Sequence, residues 1–306
     1  LQGWEIGQLA AILNKVSSGD REKLEALLRD EVDVRLVERI LKLFDKNGRR
    51  IPSRELQTDV CDANRKFYLI QPNLKNVSDY DGRLVRFQQS FGDNTVTATP
   101  DFLRYFVWKS GKLISEIKND KNLANLLNGV YLPIILPKLQ TFSDYGDMLE
   151  KVFLLPVKFS YERQFPDRKF YNHRENKLSG KISIVSGVKH EQLIEKMKRE
   201  YVFAIYFPNS LQGFSVLASR EQIATLPDSL ILSGGFDTAA AMAMYPDILA
   251  RDWHTPGYNL SALIWQSLDY SLSFRASDDR LFFNYGGDLG SAYDGYSSSL
   301  LFLGSA

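Results

Sequence analysis

Apolar residues recur at helical spacing through the first 48 positions. Leu9, Ile12, Leu13 and Val16 form one stripe, and after Ser17-Ser18-Gly19-Asp20 come Leu24, Leu27 and Leu28, then Val34, Val37, Ile40, Leu41 and Phe44. Asn47-Gly48 closes this region, whose pattern predicts short amphipathic helices without a dense Lys/Arg face, hence a packing module rather than a DNA-reading unit. Between Ile51 and Leu139 the signals are mixed. Phe67–Ile70 reads as a strand ended by Gln71-Pro72, residues 100–127 as helix, and Tyr131–Pro137 as extended, because each proline disfavours helix at the residue before it. Residues 146–161 and 187–199 are further helix candidates, and Val202–Phe207 reads as a buried strand.

From Ser215 the texture changes to short strands and turns. A helix is predicted over 238–249, capped by Asp237 or Thr238, followed by a loop from Asp252 to Gly257. Leu272, Phe274 and Ala276 then alternate with Ser271, Ser273, Arg275 and Ser277, the period of a half-buried strand. Leu281–Tyr285 and Leu300–Leu303 are the next strand candidates, and Gly286-Gly287-Asp288-Leu289-Gly290 reads as a turn.

The 306 residues, 44% hydrophobic and 25% charged, are the proportions of a globular protein with one large or two medium domains. The net charge of +1 gives no global reason to expect nucleic acid, but it is unevenly spread: +7 over residues 1–198 and −6 over 199–306. One cysteine, Cys61, cannot form an intramolecular disulfide. Apolar runs are too short to span a bilayer, and no signal peptide is visible, so cytoplasmic synthesis is the default expectation, with virion or cell-surface display as alternatives.

Candidate chemistry is sparse. Cys61, His173, His190 and His254 lack a recognisable nucleophile context, and Asp252 with His254 is the pair on which an enzyme of unrecognised class would rest. Metal-ligand spacings and phosphate-cradling glycine motifs are absent, so neither a metal nor a cofactor is expected. A structural or virion assembly component is a third reading.

The informative segment is 265–299, where Ser, Asp, Tyr, Gly and Asn supply 22 of 35 residues. Tyrosine gives large amphipathic contact area at small entropic cost, and the small polar residues give adaptable hydrogen bonding, as in an antibody-like paratope. Residues 267–306 also contain no Lys, Glu, Gln, Met or Trp, although the preceding 266 contain 53 of them. Codons ending in a pyrimidine encode none of these five, so randomised AAC-type codons would leave that gap.

With Leu263-Ile-Trp265-Gln-Ser267, the alternating strand, the Tyr/Ser/Asp/Gly turns and the apolar Leu300–Leu303, this tract resembles the C-terminal variable region of C-type-lectin-fold proteins diversified by diversity-generating retroelements, a branch related to the formylglycine-generating-enzyme fold. It departs from the family where an arginine-bearing final strand is replaced by Leu301-Phe-Leu-Gly304. The Glu-Pro-Asn sugar motif is absent, so calcium-dependent sugar binding is not implied. The resemblance covers roughly residues 200–306 and implies there a C-type-lectin-like ligand-binding domain of short twisted antiparallel strands with flanking helices, its variable region at about 265–303; with the helical module patterned at 1–48 and a mixed α/β accessory region at 49–199, the expected fold class is α+β. It further implies a non-enzymatic binder of an unknown protein or other macromolecule, and the charge balance and short apolar runs add the expectation of no nucleic-acid partner and no membrane insertion. The expected ligand surface is Tyr270, Ser271, Ser273, Arg275, Ser277, Asn284, Tyr285, Asp288, Ser291, Tyr293, Asp294, Tyr296 and Ser298, carried on Trp265, Leu272, Phe274, Leu301 and Leu303.

Overall fold

Residues 7–8, 10–14, 20–29, 42–53, 56–92 and 97–304 are described in the structure, a computed structural model. They belong to two units, Leu1–Leu41 and Lys42–Ala306. In the first, residues 10–14 are helical and α1 spans Arg21–Leu28, its start marked by Asp20, whose carboxylate accepts from Glu22 N (2.9 Å). The expected stripe positions Leu9, Val16, Val34, Val37, Ile40 and Leu41 lie outside the described residues. The end of the expected helical module belongs to the second unit: Phe44 is fully buried and bridges Arg50 around the Asn47-Gly48 turn.

The second unit is mixed α+β, built on a mostly antiparallel sheet. Among the described residues its strands are β1 Leu132–Leu136, β2 Lys169–Asn172, β3 Ile182–Ile184, β4 Val202–Gln212, β5 Leu230–Leu232, β6 Gly257–Asn259, β7 Leu263–Trp265, β8 Ser271–Ala276, β9 Arg280–Gly286 and β10 Tyr296–Phe302. The main sheet runs β1-β4-β10-β6-β8-β9-β2, with β5 also paired to β10, and β3-β7 form a separate ribbon. Strands from the expected accessory region thus share a sheet with those after residue 200, so no spatial boundary falls at 199.

Helices cover the sheet where their stripes are apolar. α2 (Val77–Phe91), which sequence patterning left unassigned, buries Tyr80, Leu84 and Phe87. α3 (Pro100–Asn119) starts at Thr99, whose hydroxyl accepts from Phe102 N, and buries Phe106, Leu113 and Ile117. α4 (Tyr145–Met148) continues through a π turn, Leu149–Leu154, into α5 (Leu155–Gln164), while α6 (His190–Met197) and α7 (Val216–Ile223) are short. Phe67–Ile70 forms no strand; Tyr68 N donates to His254 O, and Tyr68 and Ile70 are exposed.

α8 (Gly235–Met244) is buried along its whole length, and its Ala239-Ala-Ala241 run lets neighbours approach closely. It begins three residues earlier than the sequence suggests. Gly234 is the cap, and Asp237, one turn in, reaches back to Gly234 N (2.9 Å). A Cβ at Gly234 would lie 2.5 Å from His190 Nε2, so the close approach requires glycine. His190 Nδ1 faces the Leu232 carbonyl at 3.2 Å and therefore carries the proton, leaving Nε2 to accept from the Tyr145 hydroxyl (2.9 Å). Tyr145 Oη in turn accepts from Gly235 N at 2.9 Å. α9 (Pro246–Leu249) is fixed to α2 by Asp247, which receives Arg83 Nη2 at 2.8 Å and Arg86 Nη1 at 2.7 Å.

Burial pushes the Asp237 carboxyl up to about 7, against the bond it accepts from Gly234 N, and pushes the His190 imidazole down to about 4. The carboxyl then withdraws stability as pH rises from about 4 to 7, and the imidazole as pH falls from about 6.5 to 4, so in the parent protein the slopes oppose each other. Asp237→Asn removes the first slope, and its stability relative to the parent should increase with pH by up to about 1.4 kcal/mol per unit across that range. His190→Gln should gain relative to the parent as pH falls. Urea midpoints measured against pH check both, and parallel profiles for all three proteins would refute the assignment.

Candidate functional site

The register of the sheet decides which tract residues share a face. Ser273 lies opposite Asn284 and Arg275 opposite Phe282 across β8-β9, while Asn259 of β6 lies opposite both Ser273 and Ser298. Leu272, Phe274 and Ala276 point the other way into the core, Phe274 packing on Phe283 with ring centroids 4.8 Å apart. The alternation read in the sequence is therefore the inside-outside alternation of β8.

A cleft of about 350 Å³ opens on the outward face. The sheet contributes Asn259, Ser271, Ser273, Arg275, Tyr285 and Tyr296; the loop between β9 and β10 contributes Asp288, Ser291 and Tyr293; Phe214, Val216 and Leu289 supply apolar lining. Eight of the thirteen expected surface residues meet here. A larger cavity, about 480 Å³, lies beside α2 between Phe91 and Leu155 and contains none of them.

Polar groups in the cleft divide into fixed and free. Arg275 Nη1 donates to Tyr296 Oη at 3.0 Å and its guanidinium lies 5.0 Å from that ring's centroid. Tyr293 Oη donates to Asp288 at 3.0 Å, and Ser291 N to the same carboxylate at 3.2 Å. These bonds, Ser291's foremost, hold the Asp288 carboxyl below its ordinary range, and Asp288 raises the Tyr293 phenol. By contrast, neither the Asn259 carboxamide nor the Ser273 hydroxyl has a hydrogen-bond partner among the described residues. A carboxamide and a hydroxyl side by side can satisfy donors and acceptors on an incoming molecule.

The loop carrying Asp288–Tyr296 is braced from a distant part of the chain. Ala292 N donates to Asp59 (2.9 Å), Asn64 Nδ2 to Asp294 (2.9 Å), and Gln212 Nε2 reaches the carbonyls of Phe67 (3.2 Å) and Asp294 (3.1 Å). Gly295 lies so close to Phe67 that a Cβ would meet the ring at 2.9 Å.

Several expected surface residues serve this framework instead. Ser298 is fully buried, its hydroxyl 2.6 Å from that of Ser261 and 2.8 Å from that of Ser219, so it is not on the ligand surface. Ser271 is nearly buried and donates to Leu260 O at 3.2 Å. Tyr270 packs on Trp265 and Tyr285, and Arg174 lies 4.7 Å from the Tyr285 ring. Ser277 donates to Asp279, Asp294 belongs to the brace, and Asn284 sits outside the cleft on the same outward face. Trp265, Leu272, Phe274 and Leu301 are buried, and Leu303 packs on the core. Sequence reading missed Phe214, Val216 and Asn259, which only folding brings to the tract, and Leu289, which lies in the tract's own turn but is apolar.

Asp252, His254 and Cys61 do not assemble a relay. The Asp252 carboxylate is bonded to Arg251 Nε (2.8 Å) and His254 N (2.9 Å), while His254 Nδ1 donates to Lys66 O at 3.0 Å. Burial raises the Cys61 thiol, the reverse of an activated thiolate.

Phe274→Ala should destabilise by about 3 to 5 kcal/mol, transfer and cavity contributions together, whereas Ser273→Tyr should stay within about 0.5 kcal/mol because its side chain has the cleft to enter. Denaturant midpoints compare them, and equal losses would refute the orientation of β8. No family model, curated protein or solved structure matches this chain.

Proposed function

We propose that the protein is a non-enzymatic binder that presents a changeable surface on a C-type-lectin-like scaffold, as in the variable proteins of diversity-generating retroelements. The observation that carries this reading is the convergence of the Tyr/Ser/Asp tract on one cleft, with unpartnered Asn259 and Ser273 beside Arg275 and exposed Tyr293. Large tyrosines and small polar groups around a cavity are binding chemistry, and buried tyrosine or arginine anchors dominate interface energetics. The same strands place replaceable residues outward while Leu272, Phe274 and Phe283 hold the core. The ligand is a protein or other macromolecule reached through the loops around the cleft.

Diversification has a direct test. Sequences of closely related copies of the gene should vary at Ser273, Arg275, Asn284, Tyr293 and Tyr296 while sparing Leu272, Phe274 and Leu301; even drift along the chain would refute it. For binding, the Tyr293→Ala, Tyr296→Ala double variant should unfold at the parental temperature and bind a captured partner at least about 2 kcal/mol more weakly if either ring is a central anchor. Equal affinity in titration calorimetry would show that these tyrosines only fill the loop.

A further inference from the structure

The cavity beside α2 has no wall in the tract. Phe91 at the end of α2, Leu139 just after β1, and Met148, Val152 and Leu155, which run from α4 through the π turn into α5, enclose about 480 Å³, a volume ordinary for small-molecule sites. Pro156 has no N–H to give to a carbonyl of the preceding turn, and the helix takes up the misfit as the π turn, widened where Lys151 and Val152 line the space. Leu155 keeps 60% of its accessible surface there, an apolar side chain that an incoming alkyl group would cover. Two polar features bear on what else an occupant carries. The Ser90 hydroxyl lines the same space, is shielded from water and has no hydrogen-bond partner among the described residues. Lys138 and Lys151 line it too: Lys151 is answered by Asp147 at 2.6 Å, whereas Lys138 has no ion-pair partner among the described residues, and none of the lining residues is a carboxylate.

We propose that this cavity binds a straight-chain alkyl carboxylate, its chain against Phe91, Leu139, Met148 and Val152 and its head met by the Ser90 hydroxyl and by the Lys138 ammonium, which reaches it on a flexible apolar stem. The walls select the chain, because covering them removes apolar surface from water, and a sugar or nucleotide would set polar groups against them unmet. The orphan hydroxyl and the unpaired ammonium select the head. A carboxylate accepts from both, whereas an alkyl amine would meet two ammonium groups and no carboxylate in the lining. None of the tract residues lines this cavity, so the assignment is independent of the reading of the tract as a ligand surface.

The full chain is titrated with hexanoate, octanoate, decanoate and decanol, each kept below its micellar concentration, and the Leu139 and Val152 methyl resonances are followed by NMR. Each methylene buried should tighten binding roughly fourfold, so a two-carbon step should gain about tenfold or more until the cavity is full. Decanol should bind about tenfold more weakly than decanoate, since it lacks the charge-assisted bonds. Ser90→Ala should leave the free protein's unfolding temperature unchanged or raised, because an unpartnered buried hydroxyl is removed, and should weaken decanoate about fivefold or more. Lys138→Gln, at an exposed position, should weaken decanoate and spare decanol. Val152→Trp should fill the space and abolish binding of both; if that variant does not fold, the other two decide. Affinity that does not grow with chain length puts the acids on surface lysines and overturns the cavity as the site. Equal affinity for decanoate and decanol, or no loss in Ser90→Ala and Lys138→Gln, overturns the carboxylate head. No shift of the two methyls at about 1 mM decanoate overturns the site altogether.

Discussion

Everything at the site depends on β10 being buried in the middle of the sheet. Its partners change along its length: Tyr296–Ser298 run parallel to β6, Leu300–Phe302 antiparallel to β5, and β4 lies alongside with a bulge between Ser298 and Leu300. A strand covered on both faces ordinarily reads as an apolar run, and the second half does. The first half is serine, and each hydroxyl needs a partner once water is gone. Ser298 finds Ser219 and Ser261, and Ser299, at the bulge, accepts from Tyr206 Oη at 2.8 Å. The hydroxyl cluster lets the strand change neighbours without leaving polar atoms stranded.

That arrangement sets the two sides of β10 apart. Beyond its apolar half lies the packed core, where α8 is held at its N-terminus by Tyr145, His190 and the reach of Asp237 to Gly234. Beyond its serine half lies the cleft, reached through Tyr296 at the start of the strand. The outward-facing residues of β8 and the loop sit where the sheet and the brace hold the backbone, so replacing an outward side chain alters the surface without touching the layer beneath. A binding surface on a rigid support loses less entropy when a ligand arrives.

The local signals in the sequence reached as far as local physics does. β8 was legible because alternation is a property of the strand alone, and α3 because Thr99-Pro100 marks its start ahead of a long helical stripe. α2 was missed because its stripe is one residue wide per turn and crosses Gly82, although Asn76 with Asp79 was an available capping signal. The four-residue β2 is defined by its pairing with a strand more than a hundred positions later, a relation no window contains. Ser271 and Ser298 were placed on the surface by residue type, and burial of their hydroxyls in specific bonds is a tertiary fact.

The brace makes the same point about the expected accessory region, 49–199. Asp59 and Asn64 carry no signal there and Phe67 reads as the start of a strand, yet they position the loop that carries Tyr293 and Tyr296. β2 closes the sheet edge, with Glu162 accepting from Phe170 N at 3.2 Å so that the outer edge is partly occupied rather than open to pairing with another chain. The segment around residues 59–67 and strand β2 are therefore part of the cleft's construction: the first fixes where the loop stands and the second closes the sheet edge.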